Sequence, residues 1–280
     1  MTLERTVIDT PRFVAVLIAS ISALFALVVF PVYVYIISLF FKKTRFSQHT
    51  AYWIMANIGI IDCMFLLATD YASFMTLVET NFIPVLFEMS SAIHCVYEWV
   101  LHFLALVLAL NRIVVIFDVK IKYSDHIFKL LTILVWMSVF VILFFFHYYG
   151  GSLAYVYDDS AFSLRVDNTS MIYLINNVFD VYFYGDFSAV VCSFVCYLIV
   201  VVAVVLQKLK FRSNIKIEAH EIRIFVQGLV TFLPGAAYWT LLVIARFRLS
   251  RAPLAVNITF SILPRLVPVL NVCGYLALNT

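Results

Sequence analysis

Between Phe13 and Phe41 the chain runs for 29 residues without a charged side chain. A helix of that length crosses the roughly 30 Å hydrocarbon core of a bilayer with tilt to spare, and a kink is expected at Pro31. The pattern recurs at residues 51–78, 86–112, 127–149, 187–206, 222–245 and 255–278, giving seven expected spans (the first is 13–41). Composition agrees: 64% of residues are apolar and 12% charged, against about 45–50% and 25% in soluble domains. The chain therefore reads as all-α, a polytopic membrane protein whose residues 1–280 form a single seven-transmembrane-helix domain. Soluble-enzyme signatures are missing: no Gly-x-Ser-x-Gly, phosphate loop or dinucleotide fingerprint occurs, and seven glycines leave little material for one. A net charge of +3 is too small to argue for a nucleic-acid partner. The lipid bilayer is the partner that composition does require. The N-terminal residues lack a cleavable signal pattern, so the first span is expected to act as its own anchor.

Charge placement sets the orientation. The segments Lys42–Arg45, Arg112–Lys129 and Lys208–Arg223 hold twelve of the nineteen Lys and Arg, including every Lys. By the positive-inside rule they are cytoplasmic and the N-terminus is extracellular. The loop at 246–251 dissents with three Arg, whereas the 150–186 segment, with five Asp and one Arg, agrees. Two sequons, at Asn168 and Asn257, fall outside on this topology and are glycosylation candidates. All five cysteines lie in apolar runs, where they read as small core residues, and no disulfide framework is visible.

The third span, Ser91 to Arg112, carries His94, Glu98, His102 and Arg112 on an otherwise apolar surface. At about 100° per residue His94 and Arg112 share one face about 27 Å apart, with Glu98 and His102 within an arc of roughly 80° beside them. Three readings of the His94, Glu98 and His102 stripe are open: the wall of a ligand cavity, core histidines bonded to neighbouring helices, or ligands of an intramembrane zinc hydrolase. Glu98 has no cation on its own helix at that depth, so it is either protonated or paired with His94. Asp62, Asp70 and Arg265 are further intramembrane charges and hence functional candidates. Asp70 and Arg112 lie near span ends, from which they can also snorkel to water. Asp62 lies mid-span and cannot.

On residues Asp62 to Tyr275 the chain resembles the rhodopsin-like G-protein-coupled receptors. Asp62 in ANIGIID matches the buried second-span aspartate. Arg112 in LALNR matches the third-span arginine, with Asn111 in place of the acid and Ile113 in place of the Tyr. Trp136 matches the fourth-span tryptophan, and Pro234 in TFLPG the sixth-span proline, with Phe232 in place of the usual Trp. Asn271 and Tyr275 in NVCGY match the seventh-span Asn-Pro-x-x-Tyr, with Val272 for Pro. Cys95 sits too deep to match the extracellular third-span cysteine. Within the superfamily the chain is most similar to nematode serpentine chemoreceptors.

The resemblance implies a receptor that binds a small molecule between its helices and activates a heterotrimeric G protein, at the plasma membrane and in a sensory cilium. It implies a ligand site including His94, Glu98, Phe232, Tyr238 and Trp239, of which Tyr238 and Trp239, about 100° apart, cannot both face inward. The activation switch would comprise Asp62, Arg112, Asn271, Tyr275 and Pro234, with Asn271 and a water or a sodium ion as partners of Asp62. It also implies a further helix and tail beyond Tyr275. No enzymatic activity, resident metal or cofactor is expected. Retinal would need a lysine within the bundle, and all eight lysines lie in or beside the cytoplasmic loops. A transporter or channel remains the alternative from another class, because intramembrane Asp, Glu, His and Arg can line a path. No internal repeat is visible.

Overall fold

The computed structural model describes residues 12–42, 49–80, 83–148, 151–156, 161–166, 172–210, 219–248 and 254–279. Among these residues seven long helices follow one another: α1 (Arg12–Lys42), α2 (Thr50–Val78), α3 (Pro84–Ile116), α4 (Ser124–Tyr148), α5 (Ile172–Lys210), α6 (Ala219–Arg248) and α7 (Leu254–Asn279). Among the described residues six of them carry stretches long and apolar enough to cross a bilayer, and α7 contributes a shorter apolar stretch at 262–276. Helices are the expected solution, since within lipid a single segment must pair all of its own backbone groups.

The ends of the spans show why they stop where they do. Glu79 adopts a left-handed conformation (φ 56°) after α2, and its N–H returns to the Met75 carbonyl at 2.8 Å, closing the last turn. Its carboxylate meets Arg12 at 2.6 Å, and Arg12 also donates to the Thr76 carbonyl, so the start of α1 is tied to the end of α2. Pro84 begins α3, where a missing N–H costs nothing.

Helix α3 is the axis of the bundle, contacting α2, α4, α5 and α6. Tyr97, Val100, Leu101, Leu104, Ala105, Leu108 and Ala109 on it are buried, whereas α1 and α4 present Leu24, Leu27, Phe140 and Phe144 outward. That arrangement is what a bundle in lipid requires, with small and polar groups turned inward.

Two features of the 150–186 segment differ from the sequence reading. Gly151–Val156 (β1) pairs antiparallel with Ala161–Val166 (β2), from Gly151 opposite Val166 to Val156 opposite Ala161. This hairpin rests against α3 and α4 and adds a small sheet to the helical bundle. Secondly, α5 starts at Ile172, fifteen residues before the expected span at 187. Hydropathy misses this stretch because Asp180 and Asp186 interrupt it. Asp186 is fully buried, so it belongs to the bundle and not to a solvated loop. Asn168 lies outside the described residues, and Asn257 falls in the first turn of α7.

Candidate functional site

Among the described residues, two buried polar clusters join helices in the middle of the bundle. The first surrounds Asp62 on α2. Its carboxylate accepts a hydrogen bond from Tyr33 Oη on α1, one from Tyr97 Oη on α3 at 2.9 Å, and one from Asn271 Nδ2 on α7 at 2.7 Å. Asp62, Tyr33 and Asn271 are all fully buried, and one carboxylate therefore joins four helices. The Tyr97 ring is stacked on Phe65 at 3.8 Å, which fixes the direction of its hydroxyl. The backbone carbonyl of Asn271 accepts from Gln227 Nε2 on α6 at 3.3 Å, extending the cluster to a fifth helix. Tyr275, one turn on, donates to the Met55 carbonyl at 3.3 Å and packs edge-on against Tyr33 and Phe40.

A sodium ion beside Asp62 would need oxygen lone pairs directed at it. Three donors turn hydrogens toward the carboxylate, while Asn271 Oδ1 is a buried oxygen with no hydrogen-bond partner among the described residues. Sequence pattern identified Asp62 and Asn271 but not Tyr33 or Tyr97, which look like ordinary core aromatics when read singly.

The second cluster lies between α3, α5 and α6. His102 Nδ1 faces both carboxylate oxygens of Asp186 on α5, at 3.0 and 3.1 Å. Its Nε2 is 3.5 Å from Oε2 of Glu98, one turn back on α3. Trp239 of α6 packs beside the imidazole with ring centroids 6.4 Å apart, and Phe183 of α5 lies 4.8 Å from that indole. Gly235 lets α6 come this close, because a Cβ there would lie 2.5 Å from His102 Nε2.

This geometry corrects the pairing expected of Glu98. His94 is turned toward α2, with Nδ1 on the Ser90 carbonyl at 2.8 Å and its ring 5.0 Å from Phe65, so Glu98 meets His102 and not His94. His94 and His102 address different neighbours, and the three side chains do not converge as a zinc triad would require. Among the described residues no group of three or more His, Cys, Asp and Glu is placed to hold a metal ion.

The remaining expected site residues are distributed more widely. Trp239 is buried and Tyr238 half-buried at the same level of α6. Phe232 packs on Tyr197 of α5, with ring centroids 5.4 Å apart. Pro234 sits within α6 between the two clusters' contacts. Arg112 is 3% exposed and donates from Nη2 to Oδ1 of Asn111, so its guanidinium is held inside the bundle and does not snorkel. Tyr197 is the neighbour from α5 whose hydroxyl lies within electrostatic reach of it. Trp136 donates to Oδ1 of Asn57 at 3.0 Å, joining α4 to α2. Asp70 stays at the periphery, in a groove between α1 and α2 with Ala23 and Tyr71. All five cysteines are free.

No protein-family model matches the sequence, and no curated protein matches it. Its fold is nevertheless similar to that of squid rhodopsin, with a TM-score of 0.72 at 16% sequence identity over 96% of this chain and 82% of that one. The chain is a multi-pass integral membrane protein with a rhodopsin-like seven-helix fold.

Proposed function

We propose that this protein is a G-protein-coupled chemosensory receptor, taking a small molecule within its helices and activating a heterotrimeric G protein at the Arg112 end. The observation that carries the reading is the course of buried polar groups through a rhodopsin-like bundle. Glu98, His102 and Asp186 lie at mid-bundle; Asp62, Asn271 and Gln227 join five helices; Asn111 and Arg112 close the far end of α3. Buried charges on this scale are expensive in lipid and persist where function needs them. A polar cluster joining several helices is also an element with few alternative arrangements, so a ligand that rearranges one contact is felt at the others.

The resemblance read from the sequence motifs to nematode serpentine chemoreceptors supports the proposed sensory assignment, with the plasma membrane and a sensory cilium as the proposed place of action. The N-terminus is extracellular on the charge distribution.

The test is a screen of odorants, ascaroside-like lipids and amines on cells carrying this chain and a promiscuous G protein. Ligand-dependent G-protein activation without current or uptake is the expected result. Ligand-dependent current or solute uptake without G-protein activation would instead establish a channel or transporter.

A further inference from the structure

We infer that the groove between α1 and α2 around Asp70 seats a second membrane protein, through one transmembrane helix that carries a lysine or arginine at the depth of Asp70. The inference goes beyond the receptor reading and does not depend on it, because neither of the two interior clusters takes part.

Asp70 is a carboxylate on the outward face of a membrane-spanning helix. The span runs from Thr50 to Val78, and its exposed row is Met64, Leu67, Phe74, Leu77 and Val78. Asp70 lies half-buried within that row. At about 1.5 Å per residue it is about 12 Å beyond the level of Asp62 and about 13 Å short of Glu79. Glu79 and its partner Arg12 are exposed at the aqueous end of the helix, and Phe74, Leu77 and Val78 fill the distance between. The carboxylate cannot shorten that distance by itself. Side chains lean toward the N-terminus of their helix, which for α2 at this position is toward the membrane centre, and aspartate is short. The structure therefore closes the escape to water that the sequence left open to Asp70.

Within the chain nothing answers the charge. Among the described residues no cation or hydrogen-bond donor reaches the Asp70 carboxylate. The groove beside it holds about 330 Å³ and is walled by Ala23 of α1 and by Leu67, Tyr71, Phe74 and Leu77 of α2. A lone carboxylate on a lipid-facing surface is costly, and a cation brought to it in low dielectric is held strongly. The groove suits an alkyl stem with a charged end. Ala23 leaves space that a larger side chain on α1 would fill, and Tyr71 and Phe74 offer aromatic faces. The Tyr71 hydroxyl donates to the Ile83 carbonyl at 3.1 Å, which holds that ring in place.

Depth selects the occupant. The amine of a lipid headgroup rides at the level of Glu79, more than two turns above Asp70, whereas a residue on a neighbouring helix can stand at any depth. A second copy of this chain matches less well. Its Arg265 lies at a comparable depth, about 16 Å into α7, but Nη1 of that residue is buried and the guanidinium acts on His94 inside the bundle.

The experiment uses the full chain in lipid nanodiscs and dye-labelled synthetic polyleucine helices as probes, with association read by energy transfer. One probe carries a single lysine about 13 Å inside one end, the depth set by the helical rise, and its variants carry arginine, glutamate or leucine there. The lysine and arginine helices are expected to associate at least tenfold more tightly than the leucine helix, and the glutamate helix no better than leucine. Asp70→Asn should reduce the lysine helix to the leucine level. It should also melt no lower than the wild type, because the side chain keeps its shape and loses an unanswered charge. Equal association of all four helices, lysine-helix association that survives Asp70→Asn, or an Asp70→Asn chain that melts lower would each overturn the proposal. Displacement of the lysine helix by a lipid with a single ammonium headgroup would assign the groove to lipid, and self-association abolished by Asp70→Asn would assign it to a second copy; either overturns it. The readout involves no G protein, so failure here leaves the receptor reading standing, and failure of G-protein activation leaves this proposal standing.

Discussion

Asp62 and Glu98 are both carboxylates in the interior of the same bundle, on adjacent helices, and their surroundings are opposite. Asp62 accepts from Tyr33, Tyr97 and Asn271, and four helices meet on it. Glu98 has His102 at 3.5 Å, without a hydrogen bond at Oε2, and further acids nearby. A satisfied buried group fixes one arrangement, whereas an unsatisfied one marks a place where something else can bind or move. The molecule thus separates a satisfied clamp from an incompletely bonded cluster within a few turns of α3.

The sharpest way to break this contrast is to remove the clamp. Asp62→Ala leaves three donors without their acceptor in lipid-enclosed protein, at about 1–3 kcal/mol each. A loss of about 3 kcal/mol or more is expected in thermal unfolding. If Asp62→Ala melts like the wild type, the cage is not a clamp.

A smaller effect is expected at the Glu98 and His102 cluster. Gly235→Ala places a methyl 2.5 Å from His102 Nε2, and overpacking of this kind costs about 1–3 kcal/mol. Part of that is offset by the better helix propensity of Ala, about 1 kcal/mol. The expected outcome is a modest fall in unfolding temperature with loss of ligand response. A fully responsive Gly235→Ala would show that the imidazole need not sit where it does.

Tyr33→Phe and Tyr97→Phe each remove a single donor and should cost about 1 kcal/mol. The double variant should fall short of the sum when combined with Asp62→Ala, because the three share one interaction. Last and smallest, exchanging sodium for choline at constant ionic strength should leave the unfolding temperature of the wild type unchanged. A sodium-dependent rise would show that the ion displaces one of the donors around Asp62.

The architecture was legible because lipid imposes one rule on every span: about 20 apolar residues, backbone paired within the helix. The site was legible only along α3. Helical periodicity places His94, Glu98 and His102 in one stripe, but an arc of about 80° spans two neighbouring helices, so it cannot say that His94 turns to α2 and His102 to α5. Asp186 was hidden for a related reason. Hydropathy ends the fifth span at any acid, and only the partner 84 residues away makes burial of that acid tolerable. Tyr33 and Tyr97 carry no signal of their own, since a core tyrosine and a cage tyrosine look alike until the acceptor is in place. The hairpin at 151–166 carries no comparable signal, because charge and length mark a stretch between spans without revealing the strand pairing within it.

The measurement that bears most directly on the receptor reading is guanine-nucleotide exchange by purified heterotrimeric G proteins, with the full chain in nanodiscs and no ligand added. Arg112 donates to the Asn111 amide, where the receptors it resembles carry an acidic neighbour, and basal exchange should exceed that of empty discs. Arg112→Ala, at equal incorporation, should return it to the empty-disc level. No exchange with any G-protein class, or exchange that Arg112→Ala leaves untouched, would contradict the account.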